Sequence, residues 1–321
     1  MDAEDSSPGL KIRNMAREDI EEVREVGQKA WSDLASKDLG RRVKYPLRPR
    51  RLVEAYMWKE PEGCLIAEDD GRIVGSAFCH VWGKIGWVGP FEVLPELQNR
   101  GVGRALMLSC EKYLDRRGCV VFGLETMPHI TKNIHFYLTA GYLPAGMTLI
   151  SVKSLTWEQA FPNEKVQEVE CGDLEQWSPQ ISNISARINP NLDFSREFEM
   201  AVRMGLGSGF VYRSKGKVCG CAILHAVHPL EESDHVSVRL VSVDPRAHDG
   251  VGIFSILMGV CESKALEWGR KRAFIRFAAD NLELYGLLRE RGYKLEAANI
   301  RMMRGISYEE RGPYHLAAWA G

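Results

Sequence analysis

The sequence predicts an α/β (α+β) protein built as two similar halves, and three observations carry that expectation. First, the 321 residues suffice for two domains of ordinary size, and 45% apolar with 26% charged content is that of a globular chain. Second, residues 90–104 read as an apolar strand reaching Val93, a stop at Pro95, a short polar loop, and Gly101-Val102-Gly103 opening a segment of helical periodicity. Third, the same signals return about 150 residues on. Gly216-Lys217-Val218-Cys219-Gly220 echoes Gly71-Arg72-Ile73-Val74-Gly75, and Val243-Asp244-Pro245 echoes Val93-Leu94-Pro95. Likewise Gly250-Val251-Gly252 echoes Gly101-Val102-Gly103, and Arg291-Gly292-Tyr293 echoes Ala140-Gly141-Tyr142. The four offsets are 145, 150, 149 and 151, so the copies run in register, as a tandem duplication would.

In chain order, Lys11-Ile12-Arg13 is a short strand. Asp19 to Ser32 is a helix with Ile20, Val23, Gly27, Ala30 and Trp31 on one side. Residues 38 to 60 hold a basic cluster, Arg41, Arg42, Lys44, Arg48, Arg50 and Arg51, broken by Pro46 and Pro49; it reads as a solvated loop and helix face rather than a clamp for an acidic substrate. Cys64 to Glu68 and Ile73 to Phe78 flank Asp69-Asp70-Gly71, a hairpin signal in which Asp-Gly supplies the positive φ angles. Ile85 to Val93 is the next strand. Its Gly86, Gly89 and Pro90 mark a bulge or splay where a ligand approaches the backbone. A helix from Gly103 to Arg117 ends at Gly118, a central strand runs over Val120 to Glu125, and a last helix covers Thr131 to Ala140.

The strand-loop-helix stretch has the chemistry of an anion site. Two glycines let a ligand approach the backbone, and the free N–H groups of the first helical turn point outward at the positive end of the helix dipole. The loop lacks the third glycine of a dinucleotide fold and the Lys-Ser/Thr of a P-loop. The string Gln98-x-x-Gly101-x-Gly103, after Val93-Leu94-Pro95, closely resembles the coenzyme A pyrophosphate motif of the GCN5-related N-acetyltransferase (GNAT) superfamily.

That resemblance implies two tandem GNAT-like domains, each a mixed, mostly antiparallel sheet flanked by helices, with acetyl-CoA as co-substrate. It places a catalytic domain at 1–153, a linker at 154–163 (Ser154 to Asn163) and a degenerate domain at 164–321. By the same resemblance, Gln98, Asn99, Arg100, Gly101, Val102, Gly103 and Arg104 hold the diphosphate, and the pantetheine arm pairs with the main chain of Phe91, Glu92 and Val93. Glu125 and Tyr137, twelve residues apart, have the spacing of the proton acceptor and proton donor of the superfamily's ribosomal-protein N-terminal acetyltransferases. Glu92 is the rival base. Apolar neighbours make a core tyrosine the plain alternative for Tyr137, and a solvated strand end or ion-pair partner the alternative for Glu125. One position departs from the family: where it has an asparagine seven residues before the tyrosine, this chain has Ile130, with Asn133 a turn further on.

In the second copy the working positions change. Ala247 stands for Gln98, Arg276 for Glu125 and Leu288 for Tyr137, while Asn281 takes the family's asparagine position and Tyr285 lies one turn before Leu288. Asp249 precedes Gly250, where a carboxylate would repel a diphosphate. The second copy is therefore expected to be non-catalytic and to shape the acceptor site, with residues between Asn189 and Gly209 closing over the first.

The predicted function is acetyl transfer to a primary amine of a small molecule or peptide; the competing class is an acyl-CoA-binding sensor without turnover. The acceptor and the oligomeric state are not written in the residues. A net charge of −1 gives no basic field for nucleic acid or an anionic membrane. The start, Met1-Asp2-Ala3-Glu4-Asp5, lacks the apolar core of a leader, and no apolar run approaches the ~20 residues of a membrane span, so the expectation is a cytoplasmic protein. Eight scattered cysteines read as mostly buried thiols, and Cys219-x-Cys221 with His225, His228 and His235 is too sparse a set to predict a metal.

Overall fold

A computed structural model describes residues 9–156, 163–226 and 234–319; the chain start, most of the expected linker and His228 lie outside these. The first half runs β1 (Leu10–Asn14), α1 (Ile20–Leu39), α2 (Arg50–Lys59), β2 (Cys64–Asp69), β3 (Arg72–Trp82), β4 (Ile85–Val93), α3 (Val102–Arg116), β5 (Val121–Thr126), α4 (Thr131–Thr139) and β6 (Leu143–Ser154). The second repeats the series: β7 (Val166–Glu168), α5 (Leu174–Ile188), α6 (Ser195–Arg203), β8 (Gly207–Ser214), β9 (Lys217–His225), β10 (His235–Val243), α7 (Gly250–Glu267), β11 (Arg272–Ala278), α8 (Leu282–Glu290) and β12 (Lys294–Gly305). A short β13 (His315–Ala317) follows.

The strands form one continuous sheet in the order β1-β2-β3-β4-β5-β12-β6-β11-β10-β9-β8-β7, with β13 beside β10. It is mostly antiparallel, with parallel pairs at β4–β5 and β10–β11. The final strands are exchanged. β12 of the second half pairs with β5 of the first, β6 of the first pairs with β11 of the second, and β6 and β12 pair with each other. Equivalent ion pairs pin the exchange: Arg304 on β12 meets Glu111 of α3 at 3.1 Å, and Lys153 on β6 meets Glu262 of α7 at 2.9 Å. Each half is completed by the other's last strand, so the apolar clusters around α3 and α7 close only in the full chain.

A buried polar centre joins the halves where α6 meets α2. Glu197 of α6 pairs with Lys59 of α2 and, at 3.1 Å, with Arg239 of β10, and accepts from Trp82 Nε1 at 3.0 Å. Burial alone would raise the Glu197 carboxyl, but Lys59 and Arg239 together hold it well below the carboxylate range. Burial outweighs the same carboxylate at Lys59 and lowers the ammonium. His80 nearby is pushed down to about 3 by burial, so it is neutral at ordinary pH. The segment around Asn191 also docks on the first half, where its carbonyl accepts from Lys84 N at 2.7 Å.

Candidate active site

The stretch that organises the first half has the expected form. After β4 the chain makes one 3-10 turn at Pro95–Leu97, Asn99 takes φ 64° and Gly101 takes φ 83°, and α3 starts at Val102. A φ in the left-handed region favours glycine at position 101. The Gln98 side chain spans the loop, donating to the Val93 carbonyl at 3.2 Å and accepting from Lys132 Nζ at 2.5 Å. No side chain caps α3, and the N–H groups of Gly101 to Arg104 meet no acceptor among the described residues. A Cβ at Gly103 would lie 3.6–3.8 Å from the Phe136 and Phe91 rings, an ordinary contact. The cradle is open and rich in main-chain donors, the features that an oxyanion site requires.

The second cradle is closed by its own residues. Asp249 caps α7 by accepting from Gly252 N at 3.0 Å, and a Cβ on Gly252 would lie 2.2 Å from the Asp249 carboxylate. The Tyr314 ring lies 2.5 Å from where a Cβ on Gly250 would sit, held by its hydroxyl on Glu283 at 2.5 Å. The carboxylate expected to repel a diphosphate thus also takes up a donor that the diphosphate would need.

The strand that the sequence marks for a splay does part from its neighbour. β4 pairs with β5 only over Ile85–Trp87, leaving the β5-facing edge of residues 88–93 unpaired. A register shift between Ala77 and Cys79 marks a bulge opposite Gly89-Pro90. Because of it, Glu92 lies on the same face as His80 and Trp87, bonded to Ser76 Oγ at 3.1 Å, while Phe91 faces α4 with its ring 5.9 Å from Phe136.

Glu125 rises from that face too, two residues beyond Gly123, whose missing side chain leaves room for the Trp87 ring. The sequence brings two acids to one face, and the structure distinguishes them by their partners. Glu92 accepts four donors: both Nη of Arg48 (2.5 and 3.3 Å), Trp31 Nε1 (2.9 Å) and Ser76 Oγ (3.1 Å). That fills the accepting capacity of a carboxylate. Glu125 accepts two, Thr148 Oγ1 at 2.5 Å and Asn299 Nδ2 at 3.4 Å, with Arg301 Nε at 3.8 Å.

Arg48 corrects the reading of the basic cluster. Its side chain is 11% exposed against Glu92, because the Pro46–Pro49 arm folds under α1 and its Arg48 carbonyl accepts from Arg24 at 2.6 Å. Arg41, Arg42 and Lys44 are exposed as expected. Sequence reasoning also missed Thr148, Asn299 and Arg301, since the exchanged strands that bring them to Glu125 leave no local signal.

Tyr137 packs in the first core at 8% exposure, beside Phe136, and burial pushes its phenol up. Its hydroxyl has no hydrogen-bond partner among the described residues and is not sealed from solvent. Asn133 Nδ2 turns to Thr126 Oγ1 at 3.4 Å at the end of β5, whereas Asn281 in the second half caps its own helix and Leu288 is core. A surface hollow lined by Glu164, Lys165, Gln167, Arg213, Lys215 and Gly216 lies by β7 at the far edge of the sheet, away from both cradles. Among the described residues, no helix is long and apolar enough to cross a membrane, and no group of three acidic, His or Cys side chains is placed to hold a metal.

Known proteins match this architecture. The model of the Acetyltransferase (GNAT) family matches residues 29–142 and again 174–293. A mycothiol acetyltransferase of Cellulomonas flavigena is 29% identical over 147 residues, 42% of this chain and 41% of that protein, so the match spans about two fifths of the relative's length. Among solved structures, a putative acetyltransferase from Pyrococcus horikoshii superposes with a TM-score of 0.69 at 18% identity, covering 99% of this chain and 98% of that one. A tandem GNAT protein from the clavulanic acid biosynthesis pathway gives 0.55 at 13% identity, covering 94% and 99%. At such identities the structures bear on the fold alone.

Proposed function

With two matches to the family model covering most of its length, this chain belongs to the acetyltransferase (GNAT) family, and we propose that it transfers the acetyl group of acetyl-CoA to a primary amine in its N-terminal half. The observation that carries this reading is the contrast between the two cradles. One presents uncapped N–H groups at a glycine turn, and the other is capped by Asp249 and covered by Tyr314. The division proposed is 1–153 for the working half, 154–163 for the linker and 164–321 for a half that completes the sheet and borders the acceptor space. A cytoplasmic setting is part of the proposal, supported by eight free cysteines of which six are buried.

The residues fit the co-substrate. Gln98 to Arg104 would hold the diphosphate through main-chain donors, and the open edge at Phe91, Glu92 and Val93 would pair with the pantetheine amides. When bound, acetyl-CoA supplies an activated thioester carbonyl. Glu125 takes the proton of the attacking amine, directly or through a water, since it retains accepting capacity that Glu92 lacks. Tyr137 donates its hydroxyl proton to the departing sulfur; a phenol kept protonated by burial suits a donor. Glu92 is assigned a positioning role, clamping α1 through Trp31 and the proline arm through Arg48.

Thiol release from acetyl-CoA with a panel of primary amines, set beside calorimetry with acetyl-CoA alone, tests the proposal. Turnover with at least one amine is expected. Tight binding without thiol release from any amine would favour the acyl-CoA sensor instead.

A further inference from the structure

Arg276 is the counterpart of Glu125 in the second half, yet the exchanged strands bring the two to a common face. Arg276 lies opposite Ile150 of β6 and Glu125 lies opposite Arg301 of β12, with β6 and β12 adjacent. Around the guanidinium stand Glu125, Arg239, Tyr45 and Tyr56. The other buried cations of this region are engaged: Arg48 by Glu92, Lys59 and Arg239 by Glu197, and Arg301 by Thr148 at 3.0 Å and Glu125. Arg276 is different. Its Nε is shut off from solvent without a partner, and no carboxylate or carbonyl among the described residues accepts from its other nitrogens. Its residue is only partly buried, so part of the side chain stays open while Nε does not.

We propose that the acceptor is a primary amine bearing an oxyanion, a carboxylate by preference, and that Arg276 binds this anion while the amine lies toward Glu125. A guanidinium offers a planar fork of donors that matches a carboxylate in a two-point contact, and a partly open guanidinium that makes no hydrogen bond is satisfied by an anionic ligand. Burial disfavours the charged guanidinium and Glu125 offsets part of that cost, so an incoming anion has a net charge to neutralise. Arg276 takes no part in bond making. The C–N bond forms as the C–S bond breaks, the amine proton passes to Glu125 and the thiolate receives the proton of Tyr137.

This inference rests on the acyl-transfer reading of the N-terminal half, so its test includes a readout independent of turnover. The full chain, saturated with coenzyme A, is titrated calorimetrically with β-alanine, 4-aminobutyrate, phosphoethanolamine, propylamine and butylamine, and the same amines are assayed for thiol release from acetyl-CoA. The carboxylated amines are expected to bind about 10- to 100-fold more tightly than the plain amines, the range for charge-assisted pairs. Arg276→Gln is expected to abolish that preference while leaving acetyl-CoA affinity unchanged, and Arg276→Lys to restore part of it. Preference for phosphoethanolamine over both carboxylates would keep the oxyanion site and assign it to phosphorylated amines. Equal binding of charged and plain amines to the unaltered chain would overturn the inference, as would a preference that survives Arg276→Gln; the first comparison stands even if the variants fold poorly. Selective binding of carboxylated amines without thiol release would uphold the site and refute the catalytic reading alone.

Discussion

Replacing Glu197 by Gln probes the polar centre that joins the halves, and the structure sets the size of the effect. Lys59, Glu197 and Arg239 carry a net charge of +1 with side chains 0%, 2% and 7% exposed. Gln keeps the volume and can still accept from Trp82 Nε1, but it leaves two buried cations facing each other, a situation that costs about 3–5 kcal/mol. A chain of 321 residues has a midpoint unfolding entropy of about 0.7 kcal/mol per kelvin, so the expected loss in Tm is about 4–8 °C. Lys59→Met gives the contrast. It leaves Glu197 neutralised by Arg239, with a melting loss of about 2 °C or less, and Lys59→Met combined with Glu197→Gln should recover part of what Glu197→Gln alone loses. Differential scanning calorimetry at neutral pH reads all three. A Glu197→Gln melt within about 1 °C of the parent, or Lys59→Met as the more damaging change, would refute the charge argument.

The same centre sets a pH dependence. Glu197 is held low in the folded state, so the unfolded chain binds more protons as pH falls through the carboxylate range; the contribution present above the unfolded value is lost as pH drops toward the folded one. Between pH 6 and pH 3 the parent should lose more Tm than Glu197→Gln does, and parallel curves would contradict this. Asp249→Ala should cost about 1 kcal/mol for a lost cap yet create no second acetyl-CoA site, because Tyr314 still covers Gly250; a second site by calorimetry would contradict it. Tyr137→Phe should lower turnover by about 10²- to 10⁴-fold with acetyl-CoA affinity unchanged, and near-normal rates would return the residue to a packing role.

What was legible in the sequence was local. Asp69-Asp70-Gly71 set the hairpin of β2 and β3, Gly86 to Pro90 marked the splay, and the bounds Ile85 to Val93 match β4. The first cradle was readable for the same reason: its glycines and its helix start are neighbours in the chain. Helix α2 was read only as part of a solvated loop and helix face, because its Arg50-Arg51 start merges with the basic cluster, so its buried Leu52, Val53 and Tyr56 side was not counted. The exchange of β6 and β12 was not legible either. Apolar alternation says that each is a strand but not which neighbour it takes, and that choice is made by packing between the halves. With it went the surroundings of Glu125, the equivalent ion pairs of Lys153 and Arg304, and the meeting of Arg276 with the first half's acid. Arg48 was misjudged because its burial depends on a bulge that turns Glu92 toward α1, forty-four residues away.

The central claim is that one half works and the other supports it, and the stoichiometry of acetyl-CoA binding tests it most directly. Calorimetric titration of the full chain is expected to give one site. That site should be lost when bulky residues replace Gly101 and Gly103, and kept when the His248 to Gly252 turn is altered. Two equivalent sites, or loss of binding through the second turn alone, would mean that the working half has been wrongly assigned.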